Sequence, residues 1–400
     1  MRKLELLAPA GDIERLKVAL LYGADAVYVG GTMFGLRANA INFTIEDLKE
    51  ALSFAHNLSK KVYVTVNIAL HNKEAKALLD YLKELEEIGV DAIIVSDPAV
   101  LNLAKENTNL RVFISTQQST LNYEAVEFWK NEGAERIILG REATYEEIKE
   151  ITNKVDVEIE TFIHGAMCAS YSGRCVLSNF FTDRDANRGG CAQICRWDFD
   201  LLDENKEALV GEKPFTFCSK DLSLAAYIPE MIDAGITSFK IEGRMRSVYY
   251  IATIVNVYRK LIDNYVNDPE GYKYDSECEK VLRRCANRDA VAQFFNNDSS
   301  KNCQYYNGRE EVSNQDFLGI VLDQQDDLVT VEERNYFQKG DVVEVFGPKT
   351  ETFTMTIDEI YDEEGNLIEV VRHPKQVVKI RIKNKVFPYD MIRIKTVDKR

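Results

Sequence analysis

Four cysteines, Cys168, Cys175, Cys191 and Cys195, crowd one glycine-rich stretch that reads HGAMCASYSGRC and then RDANRGGCAQICRW. Thiols gathered this way can bind a metal centre, form disulfides or do redox chemistry. Their spacing is C-x6-C-x15-C-x3-C, and a fifth thiol, Cys218, follows in FTFCSKDL. Structural zinc usually draws on two close pairs, and only Cys191 and Cys195 fit that template. Iron–sulfur clusters also take four thiolates and accept more irregular spacing, so a cluster is favoured over zinc. Gly165, Gly173, Gly189 and Gly190 let the backbone close around a compact centre. Cysteine is among the most buried residue types, but half of the chain's 8 cysteines in one short segment is more than burial explains. Cys278 and Cys285 read as core positions on a helix, and Cys303 lies in a polar connector.

The N-terminus, MRKLELLAPAGDIERLK, lacks the apolar core and cleavage site of an export signal, so a reducing, cytoplasmic setting is expected and disulfides are disfavoured. No apolar run reaches the roughly 18 to 20 residues that span a bilayer, and no membrane association is expected. A net charge of -15 argues against a broad, nonspecific nucleic-acid surface but leaves room for a local basic patch.

Something must hold the thiols in place. Short β-branched runs alternate with amphipathic segments, the signature of a parallel sheet wrapped in helices. Eight strands are expected at residues 4–8, 26–30, 61–67, 92–97, 112–117, 136–141, 157–164 and 238–242. YGADAVYVG, IGVDAIIVS, EGAERIILG and AGITSFKIEG are variants of one helix-stop and strand unit. Eight such units predict an α/β fold, a TIM-type (β/α)8 barrel over residues 1–267 with a cysteine-rich insertion at 165–218. A doubly wound sheet is the runner-up and would more naturally stop at fewer strands. A helical connector is expected over 268–315, with a helix at 274–286. Residues 316–400 alternate apolar and polar positions in short runs, predicting a small all-β, barrel-like C-terminal domain.

The barrel reading places polar strand ends at one mouth. These are Asn67 with His71 and Asn72, Gln117, Arg141, His164, and Lys240 with Glu242 and Arg244; Arg37 lies just beyond the second strand. Arg37, Arg141 and Arg244 suit a carboxylate clamp, or else surface ion pairs with the abundant Glu. Asn67, His71, Asn72 and Gln117 supply neutral donors and acceptors. His164 suits proton donation or support of the thiol centre, or is a strand-end histidine satisfied by backbone. Lys240, Glu242 and Arg244 are candidate substrate-binding groups, or else Glu242 simply pairs with Lys240 or Arg244. Arg184, Arg188, Arg196, Arg244 and Arg246 form a basic rim, and Lys375, Lys379, Arg381, Lys383 and Lys385 a second group on the β module, more ordinarily a solvated ribbon.

LELLAPAGDIERLKVALLYGADAVYVGG, VNIALHN, SDPAVL, LGRE, HGAMCASYSGRCVLSN, RDANRGGCAQICRW and SKDLSLAAYIPEMIDAGITSFKIEGRMRS together resemble the collagenase-like peptidases of unknown catalytic type, family thirty-two. The resemblance is dense over residues 4–266 and strongest in the cysteine loop and KIEGR. It implies oxygen-independent hydroxylation rather than proteolysis, most closely the prephenate-dependent formation of 5-hydroxyuridine at the tRNA wobble position. Relatives act on a ribosomal RNA cytidine or, as a pair, on the ubiquinone ring. It further implies a [4Fe-4S] cluster held by Cys168, Cys175 and Cys191, with Cys195 or alternatively Cys218 as fourth ligand. Prephenate as a small dicarboxylate co-substrate, tRNA as partner and a paralogous protein partner follow from the same resemblance. A peptidase would need a nucleophile with a base or an activated water; HExxH and GxSxG are absent, which leaves a His164–Cys168 pair. A third alternative is a non-catalytic iron–sulfur accessory protein.

Overall fold

The computed structural model describes residues 4–35, 42–209, 214–286, 288–306 and 317–394. Arg37, expected to bind ligand, lies outside them.

Seven parallel strands come first: β1 (Glu5–Pro9), β2 (Ala26–Gly30), β3 (Lys61–Val66), β4 (Ala92–Val95), β5 (Val112–Ile114), β6 (Arg136–Ile138) and β7 (Glu158–Gly165). A short strand β8 (Asp221–Ser223) precedes β9 (Ser238–Ile241). Each of β1 to β7 pairs with the next, β7 pairs with β9, and β9 returns to β1, so eight parallel strands close into a barrel. The strands are apolar runs buried on both faces, as a sheet sandwiched between lumen and helices requires. The doubly wound alternative is therefore excluded, because its sheet would stay open.

Around the barrel stand α1 (Ile13–Leu21), α2 (Ile45–Asn57), α3 (Ala75–Glu87), α4 (Pro98–Asn107), α5 (Tyr123–Asn131) and α6 (Tyr145–Lys154). Their starts follow from sequence. Thr44 with Asp47 and Thr144 with Glu147 form capping boxes, and Asp97 caps α4 with Pro98 at its first turn. Their ends follow too: Gly23 at φ +116° and Gly89 at φ +85° stop α1 and α3 in the left-handed region, which is what the repeated GAD and GVD units encode. A short helix α7 (Leu177–Thr182) lies in the cysteine segment, and α8 (Ile228–Asp233) and the long α9 (Val248–Asn267) complete the shell.

The connector holds α10 (Glu277–Cys285) and a two-residue strand β10 (Ala290–Val291) that pairs with β8. Beyond it are β11 (Phe317–Gln325), β12 (Leu328–Glu333), β13 (Phe337–Gln338), β14 (Val342–Phe346), β15 (Phe353–Thr356), β16 (Ile360–Tyr361), β17 (Leu367–Ile368), β18 (Val370–Val371), β19 (Val377–Arg381) and β20 (Met391–Ile394). Eight of these form one antiparallel sheet ordered β15-β14-β20-β11-β12-β19-β16-β17, and β13 pairs with β18. Its own core is built from Leu318, Val329, Val331, Val343, Val345, Val378 and Ile380. The module docks on α1 and α9: Tyr22 Oη donates to the Tyr389 carbonyl at 2.8 Å, and Tyr249 stacks on Phe317 at 5.2 Å. No helix among the described residues is long and apolar enough to cross a membrane.

Candidate functional site: a thiol loop across the barrel mouth

The segment after β7 is bent across the mouth by contacts that only small residues allow. Gly165 leaves the strand at φ +113°, where a Cβ would stand 2.7 Å from the Glu242 carbonyl oxygen. Gly173 lies so close to the end of β5 that a Cβ would come within 2.5 Å of the Gln117 carbonyl oxygen, and Ser119 Oγ donates to the Ser172 carbonyl at 2.9 Å. Further on, the Ala69 amide donates to the Asn187 carbonyl at 3.2 Å, and Arg188 pairs with Glu74 and the Ala69 carbonyl. The segment thus reaches from β7 over β5 to the loop after β3. It returns through Cys218, whose carbonyl accepts from the Tyr305 amide at 2.8 Å, and Ser219, whose Oγ donates to the Met167 carbonyl at 3.1 Å.

This route gathers thiols. Cys168 senses the charge of Cys191, Arg141, Glu242 and Arg196, and Cys195 senses Cys168, Cys191 and Cys218. Cys168 remains open to solvent although ringed by protein, and this confinement pushes its thiol up despite Arg141. Burial pushes the Cys195 thiol up to about 11. Cys218 is fully buried, its thiol directed to the Ser219 carbonyl oxygen at 3.6 Å, with the charge of Arg288 close by. Cys175 is half-buried and is tied in through its carbonyl, which accepts from Asn187 Nδ2 at 3.1 Å.

Among the described residues no three His, Cys, Asp or Glu side chains converge tightly enough to hold a single metal ion. A tetrahedral zinc site with Zn–S near 2.3 Å brings its sulfurs within about 4 Å of one another, so the thiols as they stand do not make one. A cubane cluster spreads its thiolates over separate irons and needs a wider ring of sulfurs. The looser neighbourhood of Cys168, Cys191, Cys195 and Cys218, set among arginines, suits that donor chemistry.

Below the thiols, Arg141 lies over the Phe162 ring, its guanidinium carbon 3.9 Å from the ring centre, with Nε buried and no hydrogen bond or ion pair to any described residue. Asn67 Oδ1, at the end of β3, is likewise buried without a partner among the described residues, its Nδ2 reaching Ser115 Oγ at 3.5 Å. Gln117 Oε1 accepts from Ser115 Oγ at 3.3 Å. Unsatisfied buried donors and acceptors cost stability unless a ligand uses them. Arg244 is packed against β2, where Gly30 has no Cβ to obstruct it, and donates to Thr65 Oγ1 at 3.3 Å. Glu242 stands beside Cys168, and Tyr250 Oη donates to its carbonyl at 3.2 Å. His71 and Asn72 are on the outer rim, exposed, where the His71 amide donates to Glu74 Oε2 at 2.8 Å.

Two expectations are corrected. Lys240 does not line the mouth; it is buried in the lumen between Tyr28 and Phe162, with Nζ 2.8 Å from Glu160 Oε1. His164 does not face the lumen either. The register shifts between Phe162 and His164 where β7 meets β9, and this bulge turns the imidazole outward against Tyr250 and Tyr258 of α9. Tyr258 Oη donates to the Ile163 carbonyl at 3.0 Å, so it accepts from His164 Nδ1–H at 3.2 Å. The ring borders a cavity of about 330 Å³ with Ser223, Tyr227, Tyr274 and Arg288.

Burial, aided by Arg246, lowers the His164 pKa to about 3. The unfolded chain therefore binds a proton between about pH 6.5 and 3 that the folded chain refuses, and stability falls as pH drops through that window. Urea denaturation from pH 7 to pH 4 should show His164 alone costing on the order of 2–3 kcal/mol, at up to about 1.4 kcal/mol per pH unit. His164→Gln should have a shallower acid slope. An unchanged slope would mean the imidazole is not held neutral.

Sequence reasoning missed Asp221, which is buried and lies 2.6 Å from Arg288 Nη2 and 3.2 Å from Arg246 Nη2. Burial raises its carboxyl, against the pull of Arg288, Arg246 and Arg196. Its place in SKDL, directly after Cys218, was the available signal.

The fold and site together define a (β/α)8 barrel with a thiol-bearing crossover at its mouth and an appended antiparallel β module. The profile of Peptidase family U32 matches residues 11–305, and that of the Peptidase family U32 C-terminal domain matches residues 313–393. The chain belongs to peptidase family U32. It is 50% identical to tRNA hydroxylation protein P1 of Bacillus subtilis (strain 168), covering 98% of this chain and 95% of that protein. It is 34% identical to tRNA hydroxylation protein P of Escherichia coli (strain K12), over 92% of each. It is also 29% identical to a Collagenase of Porphyromonas gingivalis, over 97% of each.

Proposed function

We propose that this protein is a cytoplasmic RNA hydroxylase that converts uridine to 5-hydroxyuridine at the wobble position of tRNA, using a prephenate-like dicarboxylate as oxygen donor. The similarity to the Bacillus and Escherichia tRNA hydroxylation proteins supports an RNA substrate. The observation that carries the rest is Arg141: a guanidinium over the Phe162 ring, without an ion pair among the described residues, beside the thiols. Such a group is suited to a carboxylate, because its planar fork binds one bidentately and its desolvation has already been met by the aromatic face. Arg244 adds positive charge across the mouth, and Asn67 offers an unused acceptor.

Cys168, Cys175 and Cys191 would hold a [4Fe-4S] cluster with Cys195 or alternatively Cys218 as fourth ligand, and such a cluster supplies one-electron transfer next to the bound acid. The residues' own work is to bind and orient. Arg141 fixes the donor, the thiol segment covers the mouth and limits water, and the buried Glu160–Lys240 pair keeps the lumen floor charged but neutral overall.

The peptidase reading has less support. A Cys–His nucleophile would need His164 beside Cys168, and the imidazole is turned outward onto Tyr258.

Nucleoside mass spectrometry of tRNA tests the proposal. A strain lacking the gene should lose 5-hydroxyuridine and its derivatives, the wild-type gene should restore them, and Arg141→Gln should restore about 1% or less, since losing a charge-assisted bidentate contact costs roughly 3 kcal/mol. Unchanged tRNA in the deletion strain would refute it.

A further inference from the structure

Half-exposed aromatic rings are concentrated on the cysteine segment, and they do not belong to the acid-binding recess. Phe180 is 81% exposed, Phe181 54%, Tyr171 50% and Trp197 44%. Rings this open are costly in water unless something covers them. Phe181 is backed by Phe199 at 5.9 Å, and Phe199 by Phe217 at 5.7 Å, so this ring rests on an aromatic wall. The same stretch carries Arg174 and Arg184, both exposed and neither ion-paired among the described residues. In a chain of net charge -15, two open guanidinium groups interleaved with aromatics are an exception to the general surface.

We propose that Tyr171, Phe180 and Phe181, with Arg174 and Arg184, form a stacking platform for the unpaired bases of a single-stranded RNA loop. This rests on the reading of the protein as an RNA hydroxylase and assigns the surface that presents the target base. Unpaired bases stack on aromatic faces, and phosphates between them meet arginines. Arg174 directly precedes Cys175, so a loop laid on this platform lies at the edge of the thiol crossover. The ribbon that Phe199 begins, bridged to Phe215 and from Leu202 to Ala208, carries Asp198, Asp200, Asp203, Glu204 and Glu207, which repel phosphate and disfavour RNA there. Asp183 is the one acidic side chain within residues 171–184.

The test uses the full chain and two fluorescent probes, an RNA hairpin with an unpaired loop and a blunt duplex of the same stem. Wild type should bind the hairpin more tightly than the duplex. Phe180→Ala with Phe181→Ala should weaken hairpin binding about tenfold or more, with little change for the duplex. Arg174→Gln and Arg184→Gln should each lower the slope of log affinity against log salt by about one. Hairpin binding by the Phe variant equal to wild type would overturn the platform, as would a wild-type dimer that this variant dissociates. Restoration of 5-hydroxyuridine separates the two ideas: if wild type restores it and the Phe variant both binds and restores fully, the platform fails and the function stands. If wild type restores nothing, the function itself fails.

Discussion

Replacing Arg136 by Met should cost about 3–5 kcal/mol of stability, the usual result of leaving buried charges without their partner. Arg136 is 3% exposed at the start of β6, with Nη1 at 2.5 Å from Glu5 Oε1 and 3.0 Å from Glu160 Oε2. Its guanidinium carbon stands 4.4 Å from the centre of the Phe113 ring, and Nη1 donates to Ser238 Oγ at 3.2 Å. Three strands that close the barrel, β1, β7 and β9, therefore meet on one side chain. Glu160 keeps Lys240 in the variant, but Glu5 keeps only neutral side-chain donors, Tyr63 Oη at 2.6 Å and Ser238 Oγ at 3.1 Å.

The pH dependence gives the prediction a sign. Burial pushes the Glu5 carboxyl up, but the charge of Arg136 and hydrogen bonds from Arg136 and Tyr63 outweigh it, so its pKa lies below the ordinary value. In the wild type this group contributes stability above the unfolded pKa of about 4.3, lost as pH falls further. Without Arg136 burial prevails, the folded pKa rises, and the contribution is present at low pH and lost on going to neutral. Urea denaturation at pH 5 and pH 8 should show the variant's deficit smaller at pH 5. A deficit below 1 kcal/mol at both values would mean that the lumen network does not hold the barrel closed.

Serine at Cys168 or Cys191 should abolish tRNA hydroxylation, with a loss of at least about 100-fold, while the melting temperature of the apoprotein changes little. Both thiols are solvent-accessible, so neither sulfur is core packing. A serine hydroxyl is a poor substitute for a thiolate toward iron. Cys278→Ser, on α10 and remote from the crossover, is the control and should behave as wild type. Retained activity in Cys168→Ser would remove the thiol ring from the chemistry.

Much of this was legible in the sequence because the physics involved is local. All eight barrel strands appear within a few residues of expectation, since buried strands need apolar runs and the stops of α1, α3 and α5 are written as glycine, a small or β-branched residue and an acid. The cysteine loop was legible as a site from residue types alone. Side-chain direction was not. A single bulge between Phe162 and His164 sends the imidazole out of the lumen, and nothing in EIETFIHG marks it. Lys240 and Arg136 look like ordinary charged residues on strands until closure places them opposite Glu160. The short strands β13, β16, β17 and β18 carry two residues each, too few for an alternation to register. Arg381, read as part of a basic face, is committed to Glu359 and Asp327 at 2.6 and 2.7 Å.

In the proposed function, thiols over the barrel mouth grip an inorganic cofactor beside the Arg141 recess. Iron analysis and absorbance of the wild-type protein purified without oxygen test it most directly. Brown protein with about four irons per chain and a broad band near about 400 nm is the predicted result. Colourless, iron-free protein that stays so after reconstitution with iron and sulfide would contradict it.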